Sequence, residues 1–272
     1  MAIKADLHLH SYFSGDCDVP MESMILAGIE KGLDTMCFTE HNDFDFPNLY
    51  DLPPEPFTLN VDSYLYELLS LRRKYQDRIK ILFGLEIGLQ ESCLRPNIVL
   101  TKAHDFDFII ASSHLCACED PYYPAFWENR TAEEGCRTYF EEMLKNVKSF
   151  LGFDVYGHLD YISRYVPENA KAFSYMDYKN IIDEILKVLI DNEKAIECNT
   201  GGLRKSINTT NPCPDILKRY RELGGEIITV GSDAHAPSDI GADFGQAAEI
   251  LKDCGFDYYT VFEGRQPYFY KI

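Results

Sequence analysis

Residues 6 to 16 read DLHLHSYFSGD, which sets the imidazoles of His8 and His10 one residue apart and adds the carboxylates Asp6 and Asp16. On an extended strand, side chains two positions apart share a face. His8 and His10 therefore converge on one point, as ligands of a metal ion would. A pair is too few ligands, and the rest of the chain supplies candidates: His41 in FTEHND, Glu86 in GLEIG, His114 in SSH, His158 in GHLDY, and Asp233 with His235 in VGSDAH. Imidazole and carboxylate together suit zinc, iron or manganese, and one carboxylate can bridge two ions. His8, His10, Asp16, His41, Glu86, His114, His158, Asp233 and His235 are too many ligands for one ion and fit two or three. His104, in TKAHDFDF, precedes a strand and reads as ordinary surface.

These residues need a scaffold that gathers them. Short β-branched and aromatic runs alternate with amphipathic stretches, the pattern of repeated β-α units around a parallel sheet. Seven strands are expected in IKADLHLH, TMCFTEH, KILFGLEIG, FDFIIASSH, VYGHLDY, KAIECNT and EIITVGSDAH. Helices are expected in MESMILAGIEKG, VDSYLYELLSLRRKYQ, TYFEEMLKNVKSFL, YKNIIDEILKVLIDN and PDILKRYRELG, where apolar residues recur three and four apart. Almost every strand ends in an ionisable residue, Glu40, Asp160 and Glu197 included. In a (β/α) barrel those C-terminal ends form one face, which carries the active site. No linker or shift in composition divides residues 1–272, and the proline-rich segment 46–57 reads as a loop over the barrel mouth. The expectation is one α/β domain, a (β/α) barrel.

The net charge of -18 argues against a nucleic-acid or anionic-membrane binder, because either partner would be a polyanion. A small phosphorylated substrate held by a few local cations remains compatible with it. No apolar run approaches the ~18 residues of a membrane span, and the N-terminal residues MAIKADLHLH contain no signal-peptide core. Nine cysteines, an odd number without a C-x-x-C pair, read as reduced thiols, so a cytoplasmic location is expected.

DLHLHSYFSGD, FTEHND, GLEIG, SSH, GHLDY and VGSDAH resemble, in order, the motifs of the PHP (polymerase and histidinol phosphatase) superfamily. Length and motif wording are most similar to its histidinol-phosphatase branch. The resemblance implies a distorted (β/α)7 TIM-like barrel with three divalent ions (Zn, Fe or Mn). It places His8, His10, Glu86 and Asp233 around a first ion. Glu86 would bridge to a second, completed by His114 and His158, and Asp16, His41 and His235 would hold a third. Some family members carry histidine where this chain has Asp16. The implied activity is a metal-dependent phosphomonoesterase, hydrolysing L-histidinol phosphate in histidine biosynthesis. A hydroxide bridging the first two ions would attack phosphorus, with proton handling by Asp233 or His235.

Phosphate needs cations, and Arg164, Arg204 and Lys205 lie in loops that follow strands. Arginine offers a planar fork that matches two phosphate oxygens. An amino-alcohol ester also carries an ammonium and an imidazole. Glu119, Asp160 and Glu197 are the carboxylates expected to meet them, with aromatic residues of 121–127, Phe44 or Phe46 against the ring. The competing readings are a phosphoesterase of the same superfamily acting on another small ester, a nucleotide or phosphotyrosine, a non-catalytic metal-binding barrel, and an amidohydrolase. Nine intact ligand positions disfavour the binding barrel. The amidohydrolase would use an eighth strand and often a bridging lysine. Either a monomer or a homodimer is compatible with the sequence.

Overall fold

The strands β1 (Ala5–Leu9), β2 (Thr35–Phe38), β3 (His41–Asn42), β4 (Lys80–Gly88), β5 (Phe108–Ser112), β6 (Val155–Tyr156), β7 (Ala195–Asn199) and β8 (Ile228–Gly231) pair in parallel. The computed structural model describes residues 3–47, 52–53, 55–205 and 207–272. The lateral order is β1-β2-β4-β5-β6-β7-β8, and β3 also pairs with β4, where His41 lies opposite Glu86. Because β3 resumes the line of β2 after Thr39 and Glu40, the sheet has seven strand positions, as expected. It curls until its edges meet. Leu9 bridges Ala234, the His10 N–H donates to the Ala234 carbonyl at 2.9 Å, and the Asp233 N–H donates to the His8 carbonyl at 2.8 Å. Gly231 permits that approach, since a Cβ there would lie 2.3 Å from the His8 Cβ and 2.4 Å from Glu197 Oε1.

The connections are α1 (Met21–Glu30), α2 (Val61–Tyr75), α3 (Leu94–Ala103), the short α4 (Pro124–Trp127), α5 (Ala132–Ser149), α6 (Tyr175–Asp191), α7 (Pro214–Glu222) and α8 (Phe244–Asp253). Local chemistry sets several of their starts. Asn60 caps α2 by accepting the Ser63 N–H, Thr131 and Glu134 form a capping box on α5, and Pro214 opens α7. Apolar faces such as Ile182, Ile185, Leu186 and Leu189 of α6 bury against the sheet, whose strands are buried on both sides. No helix among the described residues is long and apolar enough to cross a membrane.

Four features depart from the sequence expectation. Helices α3, α4 and α8 were not expected, and neither was a C-terminal antiparallel hairpin of β9 (Tyr258–Glu263) and β10 (Gln266–Lys271). The hairpin sits at the N-terminal ends of the barrel strands. There the Tyr259 hydroxyl accepts the Lys4 N–H, Phe262 stacks on Phe108, and Arg265 pairs with Asp154. It closes the floor and leaves the opposite face open. Of the 46–57 segment, Phe46, Leu52 and Phe57 border the cleft on that open face, while residues 48–51 and 54 lie outside the described residues.

Candidate metal centre

His8, His41 and Glu86 stand on β1, β3 and β4, whereas His10, His114, His158, Asp233 and His235 stand just past strand ends, on the first residues of the loops. Glu86, on β4, is the hub and is fully buried. Its Oε2 lies 3.1 Å from His8 Nε2, 3.1 Å from His41 Nδ1 and 3.6 Å from His10 Nε2. Its Oε1 lies 3.2 Å from His114 Nε2 and 3.0 Å from His158 Nε2. Asp233 adds Oδ1 at 3.8 Å from His8 and 3.7 Å from His10. At the rim Asp16 Oδ2 lies 3.1 Å from His235 Nε2 and 3.6 Å from His41 Nε2.

Four overlapping groups bring one ligand atom from each member within 4.8 Å of the others: His8-His10-Asp233, His8-Glu86-His158, His41-Glu86-His114 and His10-His41-His235. Eight of the nine candidate ligands fall in them. Asp16 stands outside these groups, beside His41 and His235. The groups overlap and do not divide the residues among ions; His114 and His158 share Glu86 Oε1, while His8 and His10 lie nearer Oε2.

The ring nitrogens supply a test of whether the residues suit cations. His10 Nε2, His41 Nδ1, His114 Nε2 and His235 Nε2 are buried without a hydrogen-bond partner. Such atoms cost about 1–3 kcal/mol each unless something takes their lone pairs. The opposite ring edges are held in place. His8 Nδ1 meets Glu197 Oε1 at 2.7 Å, His10 Nδ1 meets Ser14 Oγ at 2.9 Å, and His114 Nδ1 meets Asp43 Oδ1 at 2.8 Å. Ser14 in turn donates to Glu40 at 2.6 Å. A carboxylate or hydroxyl behind a histidine fixes the tautomer that presents a lone pair to a metal. Burial, with His235 and His41 nearby, pushes His10 well below the usual imidazole range, so it stays neutral as a ligand must. Burial alone would raise Glu86, but His8, His41 and His114 hold it well below the usual carboxylate range. Despite their burial, the neighbouring carboxylates push His8 and His114 well above the usual imidazole range, holding protons that a bound cation would displace. The donor set fits divalent cations.

Asp233 has left-handed backbone, φ 55°, which aspartate tolerates better than most residues. Its second oxygen, Oδ2, faces Arg164, whose side chain is 5% exposed. Arg164 Nε donates to Asn211 Oδ1 at 2.7 Å. One terminal nitrogen donates to Asn199 Oδ1 at 3.0 Å and Asp233 Oδ2 at 3.1 Å, the other to Asp233 Oδ2 at 3.1 Å. Of the five N–H groups of a guanidinium, four are thus spent within the protein. The fork expected for two phosphate oxygens instead grips Asp233, and one N–H is left for the cleft.

That cleft, about 640 Å³, opens beside the cluster. Arg164, Arg204 and Lys205 line one wall, and Arg204 also donates to the Ser232 carbonyl at 2.6 Å. The carboxylates expected to face a substrate cation are otherwise engaged. Glu119 pairs with Arg130 at 2.5 Å, Asp160 accepts from Asn211 and the Cys213 N–H, and Glu197 holds His8 and the His158 N–H. None of the three lines the cleft; Asp120, Tyr161 and Tyr165 do. Among the aromatic candidates Tyr122, Tyr123 and Phe46 border it, whereas Phe126 is buried in the core. His104 lies away from the cluster, at the end of α3. Asp43, Asn199 and Asn211, which orient the site, were not singled out by sequence, because single residues of these types carry no spacing signal.

The family model of the PHP domain matches residues 6–201. The chain is 34% identical to a histidinol-phosphatase of Lactococcus lactis over 96% of its own length and 95% of that protein's. It is 35% identical to a probable histidinol-phosphatase of Clostridium acetobutylicum, covering 92% and 93% of the two chains. Among solved structures, the histidinol phosphate phosphatase of L. lactis complexed with zinc, L-histidinol and phosphate superposes with a TM-score of 0.89 at 33% identity, covering 97% and 98% of the chains. Scaffold, cluster and motifs agree with these matches: the chain belongs to the PHP domain family.

Proposed function

We propose that this protein is a metal-dependent phosphomonoesterase that hydrolyses L-histidinol phosphate to L-histidinol and phosphate. The observation that carries this reading is the convergence of six imidazoles with Glu86 and Asp233 at one end of the barrel, beside the buried cation Arg164. Relatives that span nearly the whole chain carry histidinol-phosphatase activity in their names. Our assignment is three divalent ions of zinc, iron or manganese on His8, His10, Asp16, His41, Glu86, His114, His158, Asp233 and His235. When bound, such ions acidify water and neutralise charge on phosphoryl oxygens.

The chain's own side chains do the rest. Arg164, with its one uncommitted N–H, and Arg204 and Lys205 on the same wall meet the phosphate oxygens. Asn199 and Asn211 fix the Arg164 plane, so little is lost in ordering it when substrate arrives. Asp233 Oδ1 and His235, whose Nδ1 lies 3.9 Å from that oxygen, are placed to handle protons. The nine thiols, none in a disulfide, suit the cytoplasm, where we place the reaction.

A phosphate-release screen tests the reading. Purified metal-loaded protein should turn over L-histidinol phosphate at least about 100-fold more efficiently than nucleotides or sugar phosphates, a gap of about 2.7 kcal/mol in transition-state binding. Comparable kcat/KM on all three would overturn the substrate assignment.

A further inference from the structure

The cleft contains a carboxylate that neither the cluster nor the phosphate wall uses. Asp120 is 8% exposed, and its Oδ1 accepts the Tyr122 N–H at 2.8 Å. No lysine, arginine or histidine among the described residues lies within ion-pair distance of it, unlike Glu119 next to it in sequence, which Arg130 occupies. Burial pushes its carboxyl up to about 6. A buried carboxylate with no cation is costly, and such groups in a cleft are where ligands of opposite charge are met.

Its surroundings point the same way. Tyr161 and Tyr165 have ring centroids 5.0 Å apart, and Tyr122 meets Tyr165 at 5.6 Å. Tyr161 also lies 5.0 Å from His158 and 5.6 Å from His114. One aromatic wall thus runs from the metal-capable imidazoles toward Asp120. Phenol faces beside a carboxylate are the surface an organic ammonium prefers, through ring quadrupoles and a charge-assisted hydrogen bond.

We infer that Asp120 is a specificity-determining residue: its carboxylate receives the protonated amino group of the substrate while the phosphate lies on the cluster, so the enzyme selects amino-alcohol phosphate monoesters over uncharged esters of the same shape. This rests on the phosphomonoesterase reading above and assigns to Asp120 the role expected from sequence of Glu119, Asp160 or Glu197.

The test compares L-histidinol phosphate with its amine-free analogue, 3-(imidazol-4-yl)propyl phosphate, on the metal-loaded enzyme and on Asp120→Asn, which keeps the acceptor for the Tyr122 N–H. The native enzyme should prefer the amino ester. In the variant that preference should shrink by roughly 10- to 100-fold, the range of one lost charge-assisted hydrogen bond, mainly through KM. Inhibition by the product L-histidinol should weaken in parallel, while inhibition by inorganic phosphate should not. Equal losses on both esters, or an unchanged preference, would overturn the role of Asp120. A native enzyme that ignores histidinol phosphate altogether would overturn the substrate reading first and this inference with it; that failure shows before any variant is made.

Discussion

Glu86→Gln is expected to lower kcat/KM for phosphate release by at least about 10³-fold, or about 4 kcal/mol of transition-state stabilisation, while leaving the fold in place. Glu86 spreads its two oxygens over five imidazoles, with Oε2 toward His8, His41 and His10 and Oε1 toward His114 and His158. Only an anion can satisfy cations on both sides of it. Glutamine keeps the volume and an oxygen for the Ser112 hydroxyl, which donates to Oε1 at 2.6 Å. It removes the negative charge and turns one oxygen into a donor that points at ring nitrogens. Bound metal per chain should therefore fall together with turnover, with secondary structure by circular dichroism as the control. Full activity in this variant would refute the bridging role of Glu86.

The next largest loss is expected from Arg164→Ala, about 100-fold in kcat/KM. Charged hydrogen bonds to a phosphate oxygen, each worth about 1.5–3 kcal/mol, account for that size. The change removes the buried cation that we assign to the phosphate and releases Asp233 Oδ2, now gripped through two guanidinium nitrogens. KM should rise, and inorganic phosphate should inhibit more weakly. Arg164→Lys should rescue little, because an ammonium cannot reach Asn199, Asn211 and Asp233 at once. An unchanged KM and an unchanged phosphate inhibition constant in Arg164→Ala would remove this residue from substrate binding.

The cluster was legible in sequence because most of its members stand near or just past the ends of buried strands, and a run such as KILFGLEIG announces its own end. Candidate ligands two apart, His8 and His10 in LHLH and Asp233 and His235 in SDAH, gave direction as well as position. Strand lengths were less legible. VYGHLDY contains a strand of only two residues, Val155–Tyr156, before the chain turns so that His158 can reach Glu86. The closing hairpin was missed because DYYTVFEGRQPYFYKI lies past the last ligand motif, and its aromatic residues alternate without a polar site to mark it. The cleft wall was hardest to foresee. Glu119 and Asp120 are adjacent and chemically alike, and only the fold shows that one meets Arg130 while the other faces the cleft. Likewise, no spacing rule foretells that Arg164 spends its fork on Asp233 before substrate arrives.

Elemental analysis of gently purified, active protein addresses the root claim most directly. Glu86 and the eight proposed imidazole and carboxylate ligands around it should retain about three zinc, iron or manganese ions per chain, and phosphate release should fall as a chelator strips them and return as they are restored. Full turnover from protein carrying no transition metal would contradict the account.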